Sequence, residues 1–496
     1  MKSHGQGIEI GNHDPVDEPR VAASRQPADA RLQRMLQGPI VPTVIGMAWP
    51  NVLMMFAQSS TGFIEAYFIA SLGTESLAGM ALVVPVIMLM QNMSQGAMGG
   101  GISSAIARAL GEGKMDEAHD YVFHALVLNV AIGLFFTAIV LITAPWLYAT
   151  LGGKGEALDV ALSYSNVIFG GIVLMWIMNA FASAIRGTGN MLVPGLVICA
   201  GAVLLVPLSA ALIFGQGPFP RLGIVGAGMA FLGYYGAGSL ILGWYCWSGR
   251  NLARLRPSKL RYSMFYKIFS VGGLATINSL QTNLLIALSL AVVGTFAGTV
   301  AVAGYGIASR LEYLIAPLAF GIGAPLVALV GSNLGAQQSK RALRIALTGG
   351  AFAFVLAEAI GLSVAFWPHA WLGLFTQEPE VLKVGVAYLQ AVGPFYGFFA
   401  MGWSLYFASQ GARRLKWPLL AGLIRLVSSV GGGWLVLQLT DSLVLFFAVA
   451  AAAMALYGLI IVTAIVSGTW FRTSSAPAKE ALIARTRSSD PGASKQ

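Results

Sequence analysis

Twelve apolar runs of about 20 or more residues alternate with short polar connections along this chain, at about 44–71, 75–106, 119–144, 157–184, 191–214, 223–247, 265–294, 299–330, 342–366, 381–409, 416–438 and 442–468. At about 1.5 Å of rise per residue, each run is long enough to cross the roughly 30 Å hydrocarbon core of a bilayer as one helix. The polar and apolar positions do not alternate with period two over any comparable length, so helices are predicted rather than strands. The expected fold class is an all-α polytopic membrane protein with twelve transmembrane helices.

The pattern also repeats. At a single ungapped offset of 224, Leu110-Gly111 matches Leu334-Gly335, Gly99 matches Gly323, Ala118 matches Ala342, Tyr164 matches Tyr388, Gly187 matches Gly411 and Pro194 matches Pro418. Six helices per repeat is an even number, so both halves enter the membrane in the same direction. They form parallel repeats related by an axis along the membrane normal. The expected organisation is a disordered tail at 1–37, a first lobe at 38–248, a basic linker at 249–264, a second lobe at 265–470 and a polar tail at 471–496. Residues 1–37 lack the charged, apolar and small-residue succession of a cleaved leader. Folds of this type bind substrate between the repeats and alternate access by rocking one against the other.

Composition agrees with the pattern. Of 496 residues, 56% are hydrophobic and 10% charged, against about 25% charged in soluble domains. The net charge of +10 is spread along the loops rather than gathered on one face, which argues against a nucleic-acid partner. Lys and Arg in the connections fall 15 on one side (among them Arg108, Arg186, Arg254, Arg341 and Arg413) and 3 on the other, Lys154, Arg221 and Lys383. By the positive-inside rule the rich side, and both termini with it, is expected in the cytoplasm of a multi-pass protein of the cell (inner) membrane. The two cysteines, Cys199 and Cys246, lie in apolar runs and imply no disulfide framework. The five histidines form no HExxH or Ser-His-Asp grouping, so no enzyme, metal or cofactor is expected.

What remains inside the apolar runs is chemically sparse: Arg310, Arg425, Glu65, Glu312 and Glu358. Both bases lie in the second half, where Glu312 and Glu358 can pair with them, the usual fate of buried charge. The first half holds one acid and no base. Glu65 must therefore be protonated, face water or hold a cation, and such a group is a candidate for ion coupling. Gln58 and Thr61 precede it by seven and four residues and share its helix face. Glu312 stands two residues after Arg310, about 200° around a helix, so those two do not pair; it is read as a second carboxylate of a cleft. Asn179, Asn278, Gln281, Asn283, Tyr305 and Met88 are candidate cleft-lining positions, although polar residues also tie membrane helices together. Pro50 and Pro394 are candidate hinges.

Several segments together resemble one family. Ile64-Glu65-Ala66-Tyr67-Phe68-Ile69-Ala70-Ser71-Leu72-Gly73 with Glu75-Ser76-Leu77-Ala78-Gly79 resembles the first-helix signature of the multidrug and toxic compound extrusion (MATE) transporters. ARALGEGKMDEA and GSNLGAQQSKRA resemble that family's two matching loops, RGTGNMLVPG the start of its fifth helix and LGIVGAGMA the start of its sixth. The resemblance covers roughly 38–470. It implies two six-helix lobes around a V-shaped cleft, and export of amphipathic, often cationic compounds in exchange for protons or sodium ions. Three departures stand out. The usual first-helix aspartate is Glu65 here; Ala202 and Val206 stand near Pro207 where some relatives carry an Asn-x-x-x-Asp-Pro pattern; and the seventh helix is neutral near Gln281 and Thr282, where others place an acid for sodium. A sodium ion wants several oxygen ligands, and Glu65, Gln58 and Thr61 are few, so a proton is favoured. The alternative is a flippase for a lipid-linked or polysaccharide precursor, which would need a basic cleft that only Arg310 and Arg425 could provide. Expected partners are small amphipathic molecules and membrane lipid, with the protein a monomer.

Overall fold

The computed structural model describes residues 29–468 and residue 470, and these form helices joined by short turns, with no strand among them. The helices are α1 (Ile40–Ala70), α2 (Thr74–Gly111), α3 (Met115–Thr150), α4 (Gly155–Gly170 and Val173–Gly187, bent by 46°), α5 (Leu192–Phe214) and α6 (Ile224–Trp247). After them come α7 (262–297), α8 (299–335), α9 (Ser339–Phe366), α10 (Pro379–Gly411), α11 (Lys416–Thr440) and α12 (Leu443–Val466). Ten helical stretches are long and apolar enough to cross a membrane, eleven if the bent α4 counts as one span. One of the ten, Tyr262–Gly335, has 74 residues, more than three times what one crossing needs. It turns back at Gly298, where φ is 75°. The Val302 side chain comes within 3.2 Å of where a Gly294 Cβ would stand. Eight residues of straight helix would hold those positions about 12 Å apart. Counted as two spans, it brings the total to twelve.

Two apolar cores result. One is built from buried residues between Met54 and Ile268 and the other mainly from residues between Val293 and Trp470. Helix α1 crosses between them: Val44 and Ala48 belong to the second core, Met54, Met55 and Ile69 to the first. One pair of helix breaks follows the repeat. The bend of α4 at 170–171 and the 3-10 turn Gly393–Phe395 of α10 are one offset apart, with Pro394 in the second as expected of a hinge. Helix α1 runs as a single helix through Pro50.

One expectation needs correction. Residues 29–37 are helical rather than part of a disordered tail. Met35 is 2% exposed, its carbonyl accepts from Asn333 Nδ2 at 3.0 Å, and Arg341 donates to the carbonyl of Gly38. Side chains of the second lobe thus satisfy backbone groups that a helix end leaves open. Residues 1–28 and 471–496 lie outside the described residues.

The linker is docked rather than loose. His119 Nδ1 accepts from the backbone N–H of Arg254 at 2.9 Å, and His124 Nε2 from that of Arg261 at 2.9 Å. Asp120 pairs with Arg261 at 2.6 Å.

Candidate functional site

The two lobes meet only over the half of the molecule that carries the basic connections, as far as the hydrogen bonds among the described residues show. Asn51 Nδ2 donates to the carbonyl of Gly321 at 3.2 Å. Arg108 donates through Nε to the carbonyl of Gly411 at 3.2 Å and through Nη2 to that of Ala412 at 3.1 Å. Gln410 Nε2 reaches the carbonyl of Gly96 at 3.4 Å. Sequence reading counted Arg108 and Arg186 as loop charges. In the structure Arg108 ties α2 to α10, and Arg186 is buried, held by Ser183 Oγ at 2.9 Å. Helices that extend beyond the bilayer carry such charges with them, so loop and helix cannot be separated by charge alone.

Glu65 lies on the opposite half of α1. Its Oε1 is buried and has no hydrogen-bond partner, and no ion pair to it occurs among the described residues. The rings of Tyr164 on α4 and of Tyr234 and Tyr235 on α6 lie within electrostatic reach of this carboxyl. Gln58 approaches Tyr235, so the expected face does form. Thr61 spends its hydroxyl on the carbonyl of Gln58 at 2.7 Å within its own helix. The tyrosines were missed as site residues. Tyr164 was visible only as a repeat anchor, and the adjacent Tyr234-Tyr235 gave no signal because aromatic rings are common throughout membrane helices.

In the second lobe Glu312 Oε1 accepts from the Tyr388 hydroxyl at 2.7 Å. Tyr388 and Tyr164 are equivalent positions of the repeat, so each lobe sets the same tyrosine near an acid although the acids sit on different helices. Tyr305 meets Tyr388 edge-on at 5.2 Å and stacks on Phe447 at 6.0 Å. Arg425, 7% exposed, is near enough to act on the Glu312 charge, yet the two form no contact within 4.0 Å.

Beside them is a narrow cavity, partly open to solvent, bounded by Asn278 and Gln281 of α7, Phe399 and Trp403 of α10, Arg425 of α11 and Tyr457 of α12. Two of the six expected cleft positions, Asn278 and Gln281, therefore come together here. Tyr305 sits next to Glu312, and Asn179 ties α4 to α2 through Ser94 Oγ at 3.2 Å. Asn283 and Met88 are not brought to this cavity. Asn283 is exposed and bonds the Ser279 carbonyl at 2.8 Å; two residues beyond Gln281, it points to the far side of the helix. Met88 is 54% exposed. Arg310 is exposed, over the Phe375 ring at 5.6 Å, and Glu358 accepts from the Gly397 N–H at 2.8 Å as a packing carboxylate. No cluster of metal-ligating side chains occurs among the described residues.

The family model described as MatE matches residues 50–211 and, a second time, 275–435. Among curated relatives, an FAD transporter of Shewanella oneidensis is 26% identical over 400 residues, covering 79% of this chain and 87% of that protein. A probable multidrug resistance protein NorM of Thermotoga maritima is 25% identical over 380 residues, covering 75% and 80%. Among solved structures, a crystal structure of MATE in the straight conformation superposes with a TM-score of 0.81 at 21% identity, over 88% of this chain and 97% of that one.

Proposed function

Because the chain belongs to the MatE family, we propose that it is an ion-coupled antiporter that exports amphipathic organic molecules, with Glu65 carrying the coupling proton. The observation behind this reading is the buried, unpartnered Oε1 of Glu65, which has three tyrosines within electrostatic reach and no ion-pair partner among the described residues. A buried acceptor without a donor costs about 1–3 kcal/mol, and a charged carboxylate there costs more. Protonation removes the charge, and opening the cleft to water removes the burial. The carboxyl thereby links proton occupancy to the state of the lobes. Sodium fits less well, since it wants several oxygen ligands and Glu65, Gln58 and Thr61 supply few.

By the positive-inside rule the basic connections support a cytoplasmic location for the sealed half of the molecule, and for the chain termini with it. The lobes are then closed inward, and the described conformation faces outward. Cargo follows the relatives only at the level of small organic molecules, one being named for FAD and another for multidrug resistance.

Reconstitution in sodium-free liposomes with an imposed proton gradient tests the proposal. Glu65→Gln should abolish export while the protein still inserts and purifies normally, and an uncoupler should stop wild-type export. Wild-type rates in Glu65→Gln would remove the carboxyl from the mechanism.

A further inference from the structure

The second-lobe cavity carries a charge that the coupling mechanism does not use. Arg425 is 7% exposed. Its guanidinium carbon sits 4.5 Å from the centre of the Phe399 ring and 5.7 Å from that of Tyr457. Among the described residues its side chain makes no hydrogen bond, and no carboxylate comes within 4.0 Å. The acid that acts on it electrostatically, Glu312, has its Oε1 engaged by Tyr388. A guanidinium has five N–H donors in a planar fork that matches a carboxylate or phosphate. Ring contacts satisfy none of them, so the fork is left open to an anion that enters the cavity.

Another lining residue, Gln281, supplies a second orphan. Gln281 donates through Nε2 to the Leu419 carbonyl at 3.3 Å, which leaves its Oε1 buried and without a partner. The same cavity is lined by Phe399, Trp403 and Tyr457, surfaces suited to a flat ring.

We infer that this cavity is a binding subsite for an aromatic oxyanion that also carries a hydroxyl or N–H donor. The oxyanion lies against Arg425, the donor against Gln281 Oε1, and the ring among the aromatic side chains. The inference rests on the reading of the protein as an exporter of organic molecules and gives one class of cargo opposite in charge to the cations expected of its family.

Equilibrium dialysis of the detergent-solubilised full chain with tritiated 6-hydroxy-2-naphthoate tests it, with 2-naphthoate and 6-hydroxy-2-naphthylmethylammonium as competitors. The hydroxy acid should bind at least tenfold more tightly than the ammonium compound. Arg425→Gln should weaken the acid at least tenfold and leave the ammonium compound unchanged, with Arg425→Lys intermediate. Gln281→Leu, which keeps the cation, should erase the advantage of the hydroxy acid over 2-naphthoate. Equal binding of acid and ammonium by the wild type, or wild-type acid binding in Arg425→Gln, would overturn the subsite. Glu65→Gln separates the two proposals, since it should bind the acid normally while failing to export.

Discussion

Gly111 at the end of α2 meets the carbonyl of Ser332 on α8 so closely that no Cβ could stand between them, and Gly335 meets the carbonyl of Arg108 in the same way. Positions 111 and 335 are one repeat offset apart, as are 108 and 332. The two contacts are therefore one contact made twice about the pseudo-two-fold axis, each half presenting the same patch to the other. Close backbone approach through small residues is how membrane helices associate where water gives no hydrophobic drive.

A side chain at either glycine should pry this seal open. Overpacking costs about 1–3 kcal/mol, and each 1.4 kcal/mol is about tenfold in a two-state equilibrium. In Gly111→Val, labelling of a single cysteine at position 104 by an impermeant maleimide, in a background with Cys199 and Cys246 replaced, should rise about tenfold from the basic side. Gly113→Val, whose neighbourhood is open but whose φ is 75°, should strain the loop without raising that labelling.

Arg108→Ala removes both carbonyl contacts to α10. At about 0.6–2 kcal/mol per interhelical bond in a membrane, the same labelling should increase several-fold, with less change for Arg108→Gln if the amide recovers one bond. Unchanged labelling would mean that the remaining contacts hold the lobes closed without Arg108.

Tyr388→Phe deletes the donor to Glu312 at a buried position. A loss of about 0.5–3 kcal/mol is expected, read as a lower unfolding temperature in detergent. The equivalent change Tyr164→Phe should cost less stability, because no hydrogen bond joins Tyr164 to Glu65 among the described residues, and should instead alter proton-driven export.

His124→Phe removes the ring nitrogen that accepts from Arg261 N–H, and with it one of the three contacts described on the linker. Amide exchange at 254–261 should accelerate while exchange in α2 and α8 stays unchanged. Trypsin cleavage at the linker arginines should accelerate in parallel.

The sequence by itself determined the twelve spans, the repeat, the side that carries the basic connections, and Glu65 as the acid of the first lobe, although it counted the buried Arg186 of that lobe as a loop charge. Each follows from a local or one-dimensional rule: apolar length against bilayer thickness, a fixed offset, and a count of charges. It also placed Gln58 on the Glu65 face, because helical periodicity settles which residues share a side. Tertiary structure alone decided which partners those faces meet. Tyr234 and Tyr235 of α6 come within electrostatic reach of Glu65, Arg108 crosses to the other lobe, and Asn283 turns away from the cavity that Gln281 lines. It also decided that 29–37 is helical, since Asn333 and Arg341, some 300 positions away in the chain, supply the donors that hold it. Contacts of that separation depend on how two lobes close on one another, and no window of sequence carries that geometry.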